Sequence, residues 1–397
     1  MALGAIQIAN YITPLIVLIH LTKTLGIEIY GILAFSQGVI AISLIFLDFG
    51  YSLSATYKIS KFRSNRMYVS RLVGGIMAVQ LMIFLICTLT ISIYALITEK
   101  YSEHRTLILF ILIPIFMQGV TPIWFFQGVE RMKYFAFSAI TSKVIFAILT
   151  IYIIKEPSDY KLVPLVSGIG HMIALISAVF FIYKLGYKIK KPTLKITSYS
   201  YKISKRFFVS RIAVASYANG AILILGFVAQ PAAVAMYSMA EQLYKFMQSA
   251  LAPAAAAAYP YMSKEKDFSL MFKLIIGVVS IAIIGACTGY FVGPIFIELI
   301  FDENWLKSIP VFNIFLFSIV FYAGAIMTGY PLAAIVDRLD IANESVMIGA
   351  AIYFFLLALT FIGNQITPII LAYIMMVSEI SVLLYRSFLL FPLILKK

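Results

Sequence analysis

Apolar residues arrive along this whole chain in runs of about twenty, separated by short charged turns, and a helix needs roughly that length to cross a hydrocarbon core. Of 397 residues, 62% are hydrophobic and only 12% charged. Soluble domains are about half apolar, so these proportions exclude one. The pattern predicts an all-α polytopic membrane protein with about twelve transmembrane helices and little chain left for an extramembrane domain. The spans are expected at 2–22, 30–55, 72–97, 106–128, 134–154, 162–183, 207–228, 231–256, 270–297, 309–334, 346–363 and 366–386. In the eighth, Pro231 and Pro253 bracket an Ala-rich tract that could bend or end the helix. The first residues carry neither a basic n-region nor a small-residue cleavage site, so the first span is expected to persist.

A net charge of +14 would suggest a nucleic-acid partner in a soluble protein. Here the cations fall in short loops between spans, and topology accounts for them without nucleic acid. Of the 31 Lys and Arg, 23 lie on one side, among them Lys58, Lys61, Arg63, Arg66, Arg71, Arg131, Lys133, Lys264, Lys266, Arg338 and Arg386. Six lie on the other, and Lys143 and Lys245 fall inside spans. The basic side is expected to be cytoplasmic and to hold both termini. Residues 184–206, with Lys184 to Arg206 and the polar Pro192, Thr193, Ser198, Tyr199 and Ser200, read as an exposed basic cytoplasmic linker. It separates an N-terminal six-helix bundle, 1–183, from a C-terminal one, 207–397. Cys87 and Cys287 sit within apolar spans, so neither a disulfide framework nor a metal pair is expected.

The halves echo one another. Val129-Glu130-Arg131-Met132 returns 207 residues later as Val336-Asp337-Arg338-Leu339, and Tyr30 returns at the same offset as Tyr237. Six spans per half is an even number, so the two bundles would be parallel repeats related by an axis along the membrane normal.

Ionisable groups inside spans are functional candidates, because a central charge costs about 2.5–3.5 kcal/mol. Glu241 and Lys245 stand four apart, on one helical face. Lys143 lies roughly 14 Å into its span at 1.5 Å per residue. It is expected to face water or an anion. Arg211, close to the inner interface, and Lys23, on the opposite side, complete the cationic set. Glu241, Asp48 and Glu379 are the candidate counter-charges, and Glu379 with Arg386 could form an end-of-helix pair. His20 and His171 read as hydrogen-bonded core residues. No metal constellation, nucleotide-phosphate loop or nucleophile and base arrangement is visible, so neither a cofactor nor catalysis is expected. Cations in an apolar helical bundle suit an anionic cargo that is part lipid. Uncatalysed, its headgroup would face a barrier of about 25 kcal/mol and cross in days.

One helix ends in Pro122-Ile123-Trp124-Phe125-Phe126-Gln127-Gly128-Val129-Glu130-Arg131-Met132-Lys133. The aromatics there are expected at the headgroup belt, with Gly128 loosening the helix end. This segment closely resembles the P-x-W-F-F-Q-G-[IV]-E-x-M-K signature of bacterial polysaccharide repeat-unit flippases. These are the O-antigen and capsule transporters of the multidrug/oligosaccharidyl-lipid/polysaccharide exporter superfamily. Asn10-Tyr11-Ile12-Thr13-Pro14-Leu15 leading to Leu25-Gly26, Asp48-Phe49-Gly50-Tyr51-Ser52-Leu53-Ser54-Ala55-Thr56, and Tyr237-Ser238-Met239-Ala240-Glu241-Gln242-Leu243 with Tyr259-Pro260-Tyr261 resemble the same family. The chain departs from it at Ile19-His20, where Pro-Tyr is usual, at Tyr57, where a basic residue is common, and in lacking a short basic lead.

The resemblance implies two six-helix bundles around a central, often cationic cavity, working by alternating access in the bacterial inner membrane. The implied cargo is an undecaprenyl-pyrophosphate-linked oligosaccharide, with Lys143, Lys245, Arg211 and Lys23 attracting its pyrophosphate or acidic sugars. Glu130, Arg131, Asp337 and Arg338 would be gating elements. A polysaccharide polymerase and a chain-length regulator are implied partners, beside membrane lipids. An anion moving outward gains about 2.3 kcal/mol per charge per 100 mV, so ion coupling is not required. The main rival is a cation-coupled multidrug exporter of the same superfamily. A glycan polymerase or glycosyltransferase would need a sizeable extramembrane catalytic loop.

Overall fold

In lipid every backbone N–H and C=O must find a partner within the protein, and only helices manage this segment by segment. The computed structural model accordingly contains α-helices and short 3₁₀ segments, with no strand among the described residues. It describes the backbone of residues 2–395, and side chains apart from those of 1–12, 209–211, 213–218 and 395–397. Two compact units emerge. Unit 1 comprises Met1–Ile29 and Phe35–Gly220; unit 2 comprises Tyr30–Ala34 and Ala221–Lys397.

The helices are α1 (Ala2–Asp48), α2 (Tyr51–Phe62), α3 (Arg66–Ile97), α4 (Arg105–Phe110), α5 (Leu112–Gly119), α6 (Ile123–Gly128), α7 (Met132–Ile153) and α8 (Val163–Lys184). They continue as α9 (Leu194–Val228), α10 (Pro231–Glu265), α11 (Phe268–Phe301), α12 (Ile309–Thr328), α13 (Tyr330–Ile335), α14 (Leu339–Ile362) and α15 (Pro368–Leu395). Nine stretches among the described residues are long and apolar enough to cross a membrane. The expected figure of about twelve is not reproduced, for three reasons. Thr13–Phe62 counts as one stretch although it contains the break between the first two expected spans, α10, with Glu241, Gln242 and Lys245, is too polar to qualify, and of the span expected at 207–228 only Asn219–Val228 counts among the described residues, as a shorter apolar helix. α10 nonetheless runs through Pro253 and Pro260 as one helix, so the Ala-rich tract does not end it.

α1 breaks at Gly26, whose φ of 72° and ψ of 170° lie where side chains are not tolerated. A second break follows Asp48. There Phe49 and Gly50 take φ of 43° and 80°, and Asp48 Oδ1 accepts hydrogen bonds from Ser52 N–H, at 3.2 Å, and from the Ser52 hydroxyl. Asp48 is thus a cap at the start of α2. A third break, between α5 and α6, leaves Ile123 N–H bonded to Thr121 O rather than to Gly119 O. Gln80 on α3, 1% exposed, repairs two of these fractures at once. Its Nε2 donates to Leu47 O at 3.2 Å and to Gly119 O at 3.0 Å, carbonyls at the broken ends of α1 and α5.

Small residues set the close helix contacts, as is usual where lipid removes the hydrophobic drive between helices. Bulky apolar side chains point outward instead. Phe272, Ile276, Ile284, Phe291, Ile295 and Leu299 are all exposed on α11. In unit 1 the core gathers Tyr51, Ile59, Val69, Leu72, Trp124, Phe125 and Phe126; in unit 2 it gathers Met262, Met271, Met327, Leu332, Ile335 and Leu390.

The segment 184–206 is only half a linker. α9 starts at Leu194 and its first part belongs to unit 1, where Ser200 and Ser204 are buried while Lys195, Lys202 and Lys205 are exposed. Its amphipathic sequence makes a helix with a packing face, which residue-by-residue polarity conceals.

Replacing Gly26 by Ala is expected to cost roughly 1–3 kcal/mol, the price of a non-glycine residue in that conformation. Gly277→Ala, in a helix with open space beside it, should leave stability unchanged or slightly raised. Thermal unfolding of the two purified variants checks both.

Candidate functional site

The helical spacing of Glu241 and Lys245 does bring them together. Lys245 Nζ and Glu241 Oε2 are 2.8 Å apart, with side-chain exposures of 44% and 7%. The acid is hidden and the base is presented. The buried face of α10 that holds Glu241 also carries Tyr237, Ser238 and Tyr244. Gln242 Nε2 donates to Tyr30 OH at 2.6 Å and to Ser238 Oγ at 3.4 Å, and Tyr30 packs edge-on against Trp305 at 5.4 Å. Tyr30 and Tyr353 both lie within electrostatic reach of Glu241. Polar side chains of unit 2 thus lie near the carboxylate, beyond the pair that the spacing suggested.

In unit 1, Lys143 is half-buried on α7 and within electrostatic reach of His171 on α8. The two helices approach closely here, because a Cβ on Gly170 would stand 2.7 Å from Ser142 O. His171 Nδ1 donates to Ser167 O at 2.8 Å, and His20 Nε2 donates to Ile154 O at 2.8 Å. Both histidines are tied to carbonyls. Lys23 is exposed, and Arg211 lies outside the described residues. Glu379 is buried on α15. The Arg386 guanidinium reaches Ser345 Oγ at 2.7 Å, Ala342 O at 3.1 Å and Ala325 O in the last turn of α12 before its break at Gly329, where the broken helix end supplies a carbonyl acceptor. Two apolar grooves of about 370 and 360 Å³ open on unit 2, one beside Phe227 and Phe354, the other beside Ala255 and Tyr330, and neither includes a predicted site residue.

The signature segment takes a different place from the one expected. Trp124, Phe125 and Phe126 are 2%, 0% and 0% exposed, so they form core rather than a headgroup belt. α6 is pressed against α2, and Gly128 permits it: a Cβ there would stand 2.6 Å from Ile59 Cβ. The helix then ends in a left-handed Glu130, φ 57°, with Glu130 N–H to Gln127 O at 3.1 Å and Arg131 N–H to Phe126 O at 2.9 Å, a Schellman turn. Asp337 repeats this at φ 59°, with Asp337 N–H to Ala334 O at 3.3 Å and Arg338 N–H to Ala333 O at 2.9 Å. Each acid is latched to a base that directly follows another helix of its own unit, Arg63 after α2 and Lys266 after α10. Arg63 Nη1 lies 2.5 Å from Glu130 Oε2, and Lys266 Nζ lies 2.5 Å from Asp337 Oδ2. Arg338 forks onto Asp340 at 2.8–3.0 Å, which raises its already high pKa.

Residues 1–266 match the family described as Polysaccharide biosynthesis protein. The chain belongs to that family. Relatives include a protein of Escherichia coli (strain K12) described as an O-antigen transporter, 26% identical over 311 residues, which are 78% of this chain and 74% of that protein. A Shigella dysenteriae protein described in the same way is 28% identical over 306 residues, 76% of each chain. Among solved structures, the lipid II flippase MurJ in an inward closed conformation aligns with a TM-score of 0.75 at 13% identity, covering 96% of this chain and 86% of that one. An inward-facing multidrug resistance MATE family transporter of the MOP superfamily aligns with a TM-score of 0.67 at 12% identity, covering 98% and 96%. The fold is therefore that of the MOP superfamily.

For this family member, sequence reasoning missed Arg63 and Lys266, counted only as topological charges. A signal existed, since Glu130 and Asp337 are acids in otherwise basic loops and each needs a partner. Tyr353 and Gln80 had none, because nothing local distinguishes a buried polar side chain from its apolar neighbours.

Arg386→Met would remove three hydrogen bonds from a buried charged group, worth roughly 1.5–3 kcal/mol each. A clear fall in melting temperature is expected, whereas Lys23→Met, at an exposed position, should leave it unchanged.

Proposed function

We propose that this protein is a flippase that carries an undecaprenyl-pyrophosphate-linked oligosaccharide, an O-antigen or capsule repeat unit, from the cytoplasmic to the periplasmic leaflet by alternating access. Family membership and relatives described as O-antigen transporters support transport of a polysaccharide precursor rather than catalysis. The fold is shared with a lipid II flippase. The observation that carries the reading is the asymmetry of the α10 pair. A 44% exposed ammonium beside a 7% exposed carboxylate, within a bilayer protein, directs net positive character into open space. Lipid tails would not tolerate that charge, so the space is aqueous and suited to an anion. Glu241 holds Lys245 in position until the cargo pyrophosphate competes for it. Lys143 of unit 1 supplies a second cation, with Arg211 and Lys23 as further attractors, and Asp48 and Glu379 are the remaining counter-charges.

The charge asymmetry of the loops supports an inner-membrane orientation with both termini cytoplasmic. A polysaccharide polymerase and a chain-length regulator are the proposed downstream partners. In this reading the two latches, Arg63–Glu130 and Lys266–Asp337, together with Arg131 and Arg338, gate the cytoplasmic side. Exposed pairs are worth only about 0.2–1 kcal/mol, a scale suited to contacts that open and close each cycle.

Lys143→Gln combined with Lys245→Gln should abolish surface polysaccharide at normal protein levels; wild-type glycan in that strain would rule the site out. Deleting the chain separates the rival, since a multidrug exporter would cost drug tolerance and spare the glycan. For the gate, Glu130→Arg should depress glycan export far more than it lowers the melting temperature. Adding Arg63→Glu should restore export, and a swap that restores nothing would remove the latch from the mechanism.

A further inference from the structure

The basic stretch after α8 is a built surface. Lys188 N–H donates to Ser70 Oγ at 3.0 Å, Lys190 N–H to Ser70 O at 3.4 Å, and Tyr187 OH to Arg63 O at 3.0 Å. Gly74 admits the backbone, since a Cβ there would stand 1.9 Å from Lys190 O. α9 continues the attachment. Tyr199 OH meets Tyr68 OH at 3.1 Å, the Tyr201 ring stacks on Phe49 at 5.2 Å, and the Ser204 and Ser54 hydroxyls bond.

With one side pinned, all eight Lys and Arg of residues 184–206 are exposed, and the segment holds no Asp or Glu. None of the eight enters an ion pair among the described residues. Leu194 is exposed among them, at 91%, while the Tyr201 and Phe207 rings, at 44% and 40%, border the packed side. An exposed apolar residue set among basic groups fits a segment that lies at a lipid interface.

We propose that this face of unit 1 binds the phosphate-bearing headgroups of anionic phospholipids in the adjoining leaflet. Its first cation, Lys184, ends a membrane-crossing stretch, which puts this end of the surface within about one Debye length of the headgroups. Clusters of four to eight cations just beyond a span attract anionic lipid. Here the backbone bonds to α3 fix the cations in advance, so little ordering cost remains. An acidic soluble protein is the competing occupant, and the position of Lys184 at a span end favours lipid.

The test is lipid selectivity of the full-length protein in phosphatidylcholine bilayers, read from the electron spin resonance of spin-labelled phosphatidylglycerol against spin-labelled phosphatidylcholine. The wild type should prefer the anionic lipid by roughly fivefold, and about 0.5 M salt should reduce that preference towards one. A Lys188→Gln, Lys190→Gln, Lys191→Gln and Lys195→Gln variant should fall below about twofold, with Arg at the same four positions retaining it. Lys264→Gln with Lys273→Gln, in unit 2, should also retain it. An unchanged preference in the Gln variant overturns the proposal. So does a wild type without preference or insensitive to salt, a result that needs no variant to fold.

Discussion

The fold depends on one constraint, that a backbone polar group inside lipid must be paired. Continuous helices satisfy it at no cost to side chains, yet this chain breaks several helices within its apolar spans. Each break exposes carbonyls that the i→i+4 ladder no longer reaches. Gln80 answers for the ends of α1 and α5, and Arg386 answers for the end of α12. The left-handed Glu130 and Asp337 close their helices with internal Schellman bonds. At these breaks a defined partner compensates for the irregular backbone.

These devices also explain where charge is spent. Arg386 is a cation buried for structure, whereas Lys245 is one left half exposed with its counter-charge buried. Two positive groups in one unit thus have opposite fates, set by whether carbonyls or open space lie in front of them. The Schellman turns place one acid at the same point of each unit, and each finds a base just past the end of another helix, α2 or α10. The two arrangements use different residues, Arg63 with Glu130 in one unit and Lys266 with Asp337 in the other.

Much of this was legible in the chain itself. Helix positions followed from apolar run length, the Glu241–Lys245 pair from a spacing of four, and the recurrence of the Val129–Met132 turn from one shared offset. Trp124 misled because an aromatic residue at a helix end beside cations looks the same whether it meets headgroups or a neighbouring helix. Only the contact with α2, permitted by Gly128, distinguishes the two. Residues 184–206 misled similarly, since polar composition says solvent while the pattern of Ser200, Ser204 and the lysines makes a helix with one packed face.

The sequence by itself determined that the chain is an all-α membrane protein and which charges are out of place in its apolar spans, because these are local consequences of transfer free energy and helical period. The tertiary structure decided which of those charges is satisfied and which is presented, which helices break, and what fills each break. Those outcomes depend on groups distant in the chain, such as Gln80 meeting Leu47 and Gly119, or Arg386 meeting Ala325, and no local rule of hydropathy or spacing contains them.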